Sequence, residues 1–192
     1  KHLDRTSISR QREGLEVITS QVKNLTAFLD SYHRLTHLPE PEYKTVSVPA
    51  LFTKLERLLQ AEPRSERVVY CDGKADRSTG KELQVYGDAN LLTLALINLI
   101  RNALQAVEGQ EDGIVRVDTC AGATGHLLII ITDNGPGIPP ERLSAIFTPF
   151  FSTKSGGSGI GLPISQRIMQ LHGGQLSVSS IPNVRTEFRM EF

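Results

Sequence analysis

Residues 127–164 read LLIIITDNGPGIPPERLSAIFTPFFSTKSGGSGIGLPI. The stretch opens as an apolar, β-branched run, and His126–Thr132 reads as a strand. It passes directly into Asp133-Asn-Gly135-Pro-Gly137-Ile138, and the next regular pattern is a helix near residues 159–172. A connection from Asp133 to Gly159 is long for a compact domain, and connections of that length are functional or disordered. It carries one short helical turn near Glu141–Phe147. Eight of the chain's 16 glycines fall in the 40 residues from Gly135 to Gly174.

Working outward, Ile114–Thr119 and His126–Thr132 flank the turn Gly122–Gly125 as a hairpin. Before them, Asp88 is a helix cap for a segment over about 89–108. Glu66–Cys71 and Glu82–Tyr86 read as strands joined by the polar turn Asp72–Gly80. Thr45–Val48 is a short strand, and Ser47 and Pro49 open a helix over 49–61. After the Gly-rich stretch, Gln175–Ser180 and Thr186–Phe192 form a closing hairpin. Paired strands with few helices predict an α+β fold, a two-layer α/β sandwich with a largely antiparallel sheet and helices on one face. Residues 1–41 follow a different rule. Leu15, Ile18, Val22, Leu25, Leu29 and Tyr32 are spaced 3, 4, 3, 4, 3, the seam of a bundle-forming helix. Pro39 and Pro41 end it. Such a seam needs another helix or a second copy of the chain. The predicted organisation is a helix over 1–41 and a mixed domain over 42–192.

Composition narrows the function. The chain has 192 residues, 39% apolar, with 21 basic and 21 acidic side chains. Zero net charge argues against a dedicated nucleic-acid binder. Cys71 and Cys120 are too few for a disulfide framework and have no metal-ligand spacing. Residues 1–14 are too polar for a signal peptide. Leu91–Ile100 is too short and polar-flanked to span a bilayer.

Four patterns carry chemistry. Asn98 and Asn102 lie four apart on one face of the 89–108 helix. Buried amides need partners, and a carboxamide oxygen can ligate Mg²⁺; cross-linking of backbone is the alternative. Asp133 at a strand end, with Gly135, Gly137 and Ile138 after it, offers a carboxylate to an exocyclic amine such as adenine's; a plain Asn-Gly turn is the alternative. In Ile146-Phe-Thr-Pro-Phe150-Phe151-Ser-Thr-Lys154, the aromatics can anchor a lid and Lys154 can meet a phosphate, or the segment is a small satellite cluster. Gly156-Gly157-Ser158-Gly159-Ile160-Gly161-Leu162 opens a helix with free N–H groups, an anion site or a hinge. It is neither a dinucleotide fingerprint nor a Walker A loop. Together the four supply metal, base, lid and phosphate sites for one ligand.

In that order they resemble the N, G1, F and G2 boxes of the ATP-binding domain of sensor histidine kinases, in the Bergerat-fold ATPase superfamily. The resemblance covers about residues 45–192 and is greatest to kinases of the nitrogen-regulation type. The helix ending Leu35-Thr-His-Leu-Pro39 resembles the second helix of their dimerisation and phosphoacceptor domain. The resemblance implies ATP or ADP as ligand with Mg²⁺. It implies Asn102 as metal ligand, Asn98 beside the metal and phosphates, and Asp133, Gly135, Gly137 and Ile138 at the base. It implies that the amides of Gly159, Gly161 and Leu162 hold the phosphates and that Thr186 supports adenine recognition; Lys154, Gly157, Ser158 and Ile160 complete the expected cofactor-binding set. It also implies a homodimer through the N-terminal helix, a response-regulator receiver domain as partner and a cytoplasmic location. Any membrane contact falls to parts outside this chain.

Three departures stand out. Gln105 replaces a basic residue that the family often has. Arg185 replaces the glycine usual before Thr186. No His is followed by the acidic residue and proline of the phosphoacceptor motif, so the acceptor is expected upstream; His2, His33 and His37 read as surface or interhelical positions. Gyrase-, heat-shock- and mismatch-repair-type ATPases carry an acidic general base where this chain has Asn98, and an amide cannot take a proton at neutral pH. An anti-sigma-type Ser/Thr kinase would not need the seam helix. A degenerate nucleotide-sensing or scaffold module would not need intact Asn102 and Asp133.

Overall fold

A computed structural model of the chain describes residues 15, 18, 19, 21, 22, 26, 29, 32, 33 and 36, and then 37–71, 82–121, 126–154 and 157–192. The ten described positions between 15 and 36 are helical. Leu15, Ile18, Val22, Leu29 and Tyr32 of the seam are all more than half exposed, so nothing in the described chain covers them. Leu25 and the turns Asp72–Gly80 and Gly122–Gly125 lie outside the described residues.

The mixed domain runs β1 (Lys44–Ser47), α1 (Val48–Leu59), β2 (Val68–Tyr70), β3 (Gln84–Gly87), α2 (Ala89–Ala106), β4 (Val115–Ala121), β5 (Leu127–Asp133), α3 (Gly161–Leu171), β6 (Gln175–Ile181) and β7 (Arg185–Glu191). Single 3-10 turns occupy Ser65–Arg67 and Pro140–Arg142. The second lies at the edge of the helical turn expected near Glu141–Phe147. Five strands form one sheet in the order β2-β4-β5-β7-β6, and β1 pairs separately with β3. The sheet is antiparallel except where β2 runs parallel to β4, Val68 opposite Val115.

The two strands flanking Asp72–Gly80 do not pair with each other. β2 and β3 enter different sheets. A parallel partner has to be reached through a crossover, and α2 supplies the helix that lies between β2 and β4 in the chain.

The helices cover one face. Along β5, burial alternates residue by residue, so Leu127, Ile129, Ile131 and Asp133 share the covered side. Val115 and Val117 of β4 and Phe188 and Met190 of β7 join them. Leu92, Leu96, Leu99 and Ala103 of α2, Ile164 and Ile168 of α3, and Leu51 and Leu55 of α1 complete one core. The period of two in the strand therefore carries a carboxylate, Asp133, onto the core face at the end of β5.

Asp88 fixes the start of α2. Its Oδ1 accepts the N–H groups of Asn90 at 2.8 Å and Leu91 at 3.0 Å, and its Oδ2 accepts that of Glu42 at 2.8 Å. Burial alone raises the Asp88 carboxyl, but these donors outweigh it and hold the group below the usual carboxylate range. The stability this contributes is present above the unfolded value near pH 4 and is lost as pH falls through the lower folded value. Asp88→Ala is expected to cost about 1–2 kcal/mol of unfolding free energy in urea titration at pH 7. An unchanged midpoint would remove the cap from this account. At the other end of α3, Gly174 N–H reaches Met169 O at 2.9 Å and Gly173 N–H reaches Gln170 O at 3.1 Å, a Schellman stop with Gly173 at φ +70°. Among the described residues no helix is long and apolar enough to cross a membrane.

Candidate functional site

A cavity of about 610 Å³ opens between α2, the loop after β5, the segment leading into α3 and the first turn of α3. That volume suits one small organic ligand. Its two ends differ in chemistry.

At one end stand Asp133, Gly137, Ile138, Thr186 and Phe188. Asp133 and Thr186 are direct neighbours across β5 and β7, and each is only 3% exposed. The Gly135 N–H donates to Asp133 Oδ1 at 3.0 Å, which orients the carboxylate. Burial pushes the Asp133 carboxyl up to about 6, against the Gly135 N–H and the Lys154 ammonium, which pull it down. Gly137 has φ +72°, and a Cβ there would stand 2.7 Å from Ile181 O, so the loop is pressed onto the β6–β7 turn. Asn183 N–H donates to Pro136 O at 2.8 Å, and Ile138 N–H to Ser180 Oγ at 2.8 Å. Ser180 Oγ also meets Thr186 Oγ1 at 3.2 Å. The loop and the hairpin thus brace one another around a buried acceptor.

At the other end stand Asn98, Asn102, Lys154, Gly157, Ser158, Gly159, Gly161 and Leu162. Asn98 Nδ2 donates to Gly161 O at 3.4 Å, and Ser165 Oγ bonds both Gly161 O at 3.0 Å and Ala95 O at 3.3 Å. These contacts set the first turn of α3 against α2. Ile164 N–H to Ile160 O, at 2.9 Å, is an opening bond of that helix. The N–H groups of Gly161 and Leu162 precede it, at the positive end of the helix dipole, where anions are favoured. Gly159 has φ +65°, and Phe150 N–H donates to its carbonyl at 3.0 Å. Lys154 Nζ donates to Gln105 Oε1 at 2.8 Å and contacts Asn102 O at 3.5 Å. Gln105, read as a departure, is therefore what holds the lysine to the wall of α2.

Twelve of the fourteen predicted site residues line this one cavity. The other two, Gly135 and Ile160, are not among its lining residues. Gly135 is buried behind Asp133, where a Cβ would stand 3.0 Å from Ala106 Cβ; it acts on the ligand site only through its N–H. Ile160 turns into the core at 6% exposure, because successive residues entering a helix point in different directions. Sequence reasoning missed Arg101, Arg142 and Ala106, which also line the cavity. Arg101 had a signal, standing between the two asparagines. Arg142 had none, since the 3-10 turn that carries it has no apolar period. Gly156 lies outside the described residues.

Among the described residues no three His, Cys, Asp or Glu side chains stand together as a metal site. A cation here would depend on carboxamide oxygen and on oxygens of the ligand, which fits a hard ion such as Mg²⁺.

The family described as Histidine kinase-, DNA gyrase B-, and HSP90-like ATPase matches residues 87–192, from the last residue of β3 through α2 to Phe192. This chain belongs to that ATPase family. Sensor histidine kinase ZraS of Salmonella typhimurium is 31% identical over 171 residues, covering 88% of this chain and 35% of that protein. Sensory histidine kinase/phosphatase NtrB of Vibrio alginolyticus is 33% identical over 184 residues, covering 91% of this chain and 50% of that protein. The chain thus spans half or less of the length of these two relatives. Among solved structures, the catalytic domain of histidine kinase ThkA matches with a TM-score of 0.64 at 27% identity, covering 79% of this chain and 95% of that one. The Bergerat-type fold and the presence of an ATP-binding catalytic domain of the sensor-kinase branch of the ATPase family follow from these matches.

Proposed function

We propose that this chain is the ATP-binding catalytic part of a sensor histidine kinase that moves the γ-phosphoryl group of ATP to a histidine upstream of residue 1, for relay to a response-regulator aspartate. The observation that supports it most is the polarity of the cavity, with a buried acceptor at one end and amides, a lysine and a helix N-terminus at the other.

In this reading the adenine amine donates to the Asp133 carboxylate, with Gly137, Ile138 and Thr186 around the base. The first turn of α3, Gly159 and Lys154 take the phosphates. Asn102 would hold Mg²⁺ through its carboxamide oxygen, and Asn98 lines the same end. When bound, the ion neutralises charge that builds on the transferred group.

Asp133 is the single carboxylate among the described lining residues, and it sits at the base end. No acid stands at Asn98 to activate water, which favours transfer to a presented nucleophile over rapid hydrolysis. A neutral imidazole suits that role near neutral pH.

The open seam at Leu15, Ile18, Val22, Leu29 and Tyr32 supports residues 1–41 as a dimerisation helix. The absence of a His-acidic-Pro motif from the sequence supports an acceptor elsewhere.

Incubation with γ-labelled ATP tests the reading. The full-length protein is expected to acquire acid-labile, base-stable phosphate, and this chain alone is not. Label on His2, His33 or His37 would overturn the upstream acceptor; no label on the full-length protein would overturn the kinase reading.

A further inference from the structure

Among the described residues, three cationic side chains line the cavity: Arg101, Arg142 and Lys154. Lys154, assigned above to the phosphates, bonds Gln105 Oε1 within the cavity wall. Arg101 is held from outside the cavity. Its Nε donates to Glu62 Oε1 at 3.0 Å, and its Nη2 forms an ion pair with the same oxygen. Glu62 is not a lining residue; it lies in the turn after α1, where its N–H caps Leu59 O at 2.9 Å.

We propose that Arg101 reads the terminal phosphate of a nucleoside triphosphate and that Glu62 holds the guanidinium when that phosphate is absent. The inference rests on the nucleotide reading above and deepens it by naming a residue that separates ATP from ADP.

The position comes from helix geometry. Arg101 follows Asn98 by three residues and precedes Asn102 by one, so it flanks the asparagine face of α2 at the phosphate end. Its side chain lines the cavity and is 52% exposed, so it is open both to a ligand there and to solvent. A nucleotide with its base at Asp133 and its phosphates at the first turn of α3 has its last phosphate on the side of the cavity that Asn98, Arg101 and Asn102 line.

The exchange of partners is favoured by charge and by shape. The Arg101 side of the pair is half exposed, at 52%, so solvent screens the Arg101–Glu62 attraction. A terminal phosphate carries more negative charge than a carboxylate and accepts two parallel N–H bonds from a guanidinium fork. Loss of that phosphate returns Arg101 to Glu62, so ADP lacks a contact that ATP has.

Calorimetric titration with ADP and with a non-hydrolysable β,γ-imido ATP tests this on the wild type, Arg101→Gln, Glu62→Gln and the double variant. Arg101→Gln is expected to weaken the triphosphate about tenfold or more and ADP less than about twofold. Glu62→Gln is expected to tighten the triphosphate several-fold, and the double variant to match Arg101→Gln because the gain needs a free Arg101. Equal loss for both nucleotides in Arg101→Gln, or weaker triphosphate binding in Glu62→Gln, would overturn the inference while leaving the nucleotide site intact. Failure of the wild type to bind either nucleotide would overturn the site itself. Thermal melts of the nucleotide-free variants separate misfolding from either result.

Discussion

Asp133→Asn is expected to raise the melting temperature of the nucleotide-free chain at pH 7.5 while weakening ADP binding about 10- to 100-fold. Both effects have one cause. Asp133 lies on the core face of β5 at 3% exposure, and burial lifts its carboxyl to about 6. At pH 7.5 it is ionised at a cost that has an upper bound of about 3 kcal/mol, which a neutral amide removes.

The sign of the pH dependence follows. A carboxyl raised from an unfolded value near 4 to about 6 loses folding stability as pH rises across that window. The wild type and Asp133→Asn should therefore differ most above pH 6 and converge near pH 4. Binding runs the other way. The Gly135 N–H fixes one oxygen, so the second carboxylate oxygen is the acceptor for an amine. In the amide that position is an NH₂, donor against donor. Wild-type ADP affinity should also fall as pH drops through about 6, and the variant should lack that step. A variant less stable than wild type, or equal in affinity, would contradict the assignment of Asp133.

Gly159→Ala is expected to lower ADP affinity about 100-fold with little change in overall fold. Gly159 has φ +65°, and its new Cβ would stand 2.6 Å from the Phe150 carbonyl carbon and 2.7 Å from Phe151 O. Those are backbone atoms and cannot swing aside. The Phe150 N–H to Gly159 O bond would break, and the segment bearing Lys154 would leave the cavity.

Two other glycines calibrate the result. Gly173→Ala meets nothing within 4 Å but sits at φ +70°, so it should cost about 1 kcal/mol of stability and no affinity. Gly161→Ala has its nearest neighbour, Asn98, at an ordinary 3.7 Å and should disturb the fold least. Equal behaviour of all three would mean that the Gly-rich segment is a hinge and not a built surface.

These glycines show what was legible in the sequence. Their clustering marked the loop, and the strand before it and the helix after it were readable from their periods. Asp133 was readable as a strand-end carboxylate. Its burial follows from the alternation that puts Ile129 and Ile131 inside. The parallel pairing of β2 with β4 was not readable, because it joins residues some fifty apart through a helix and leaves no local signal. That Ile160 turns inward was not readable, because a glycine-rich run gives no indication of which neighbour does so. Arg142 was missed because its place on the cavity depends on how the whole segment after β5 folds back.

The central claim is that one cavity binds a nucleotide with its base at Asp133 and its phosphates at the start of α3. Titration of the purified chain with Mg-ADP, followed by backbone amide chemical shifts, tests it most directly. The account predicts saturable one-to-one binding, with the largest shifts at Gly135 and Gly137 on one side and at Gly159, Gly161 and Leu162 on the other. Binding that leaves either set unmoved, or no binding at all, would contradict it.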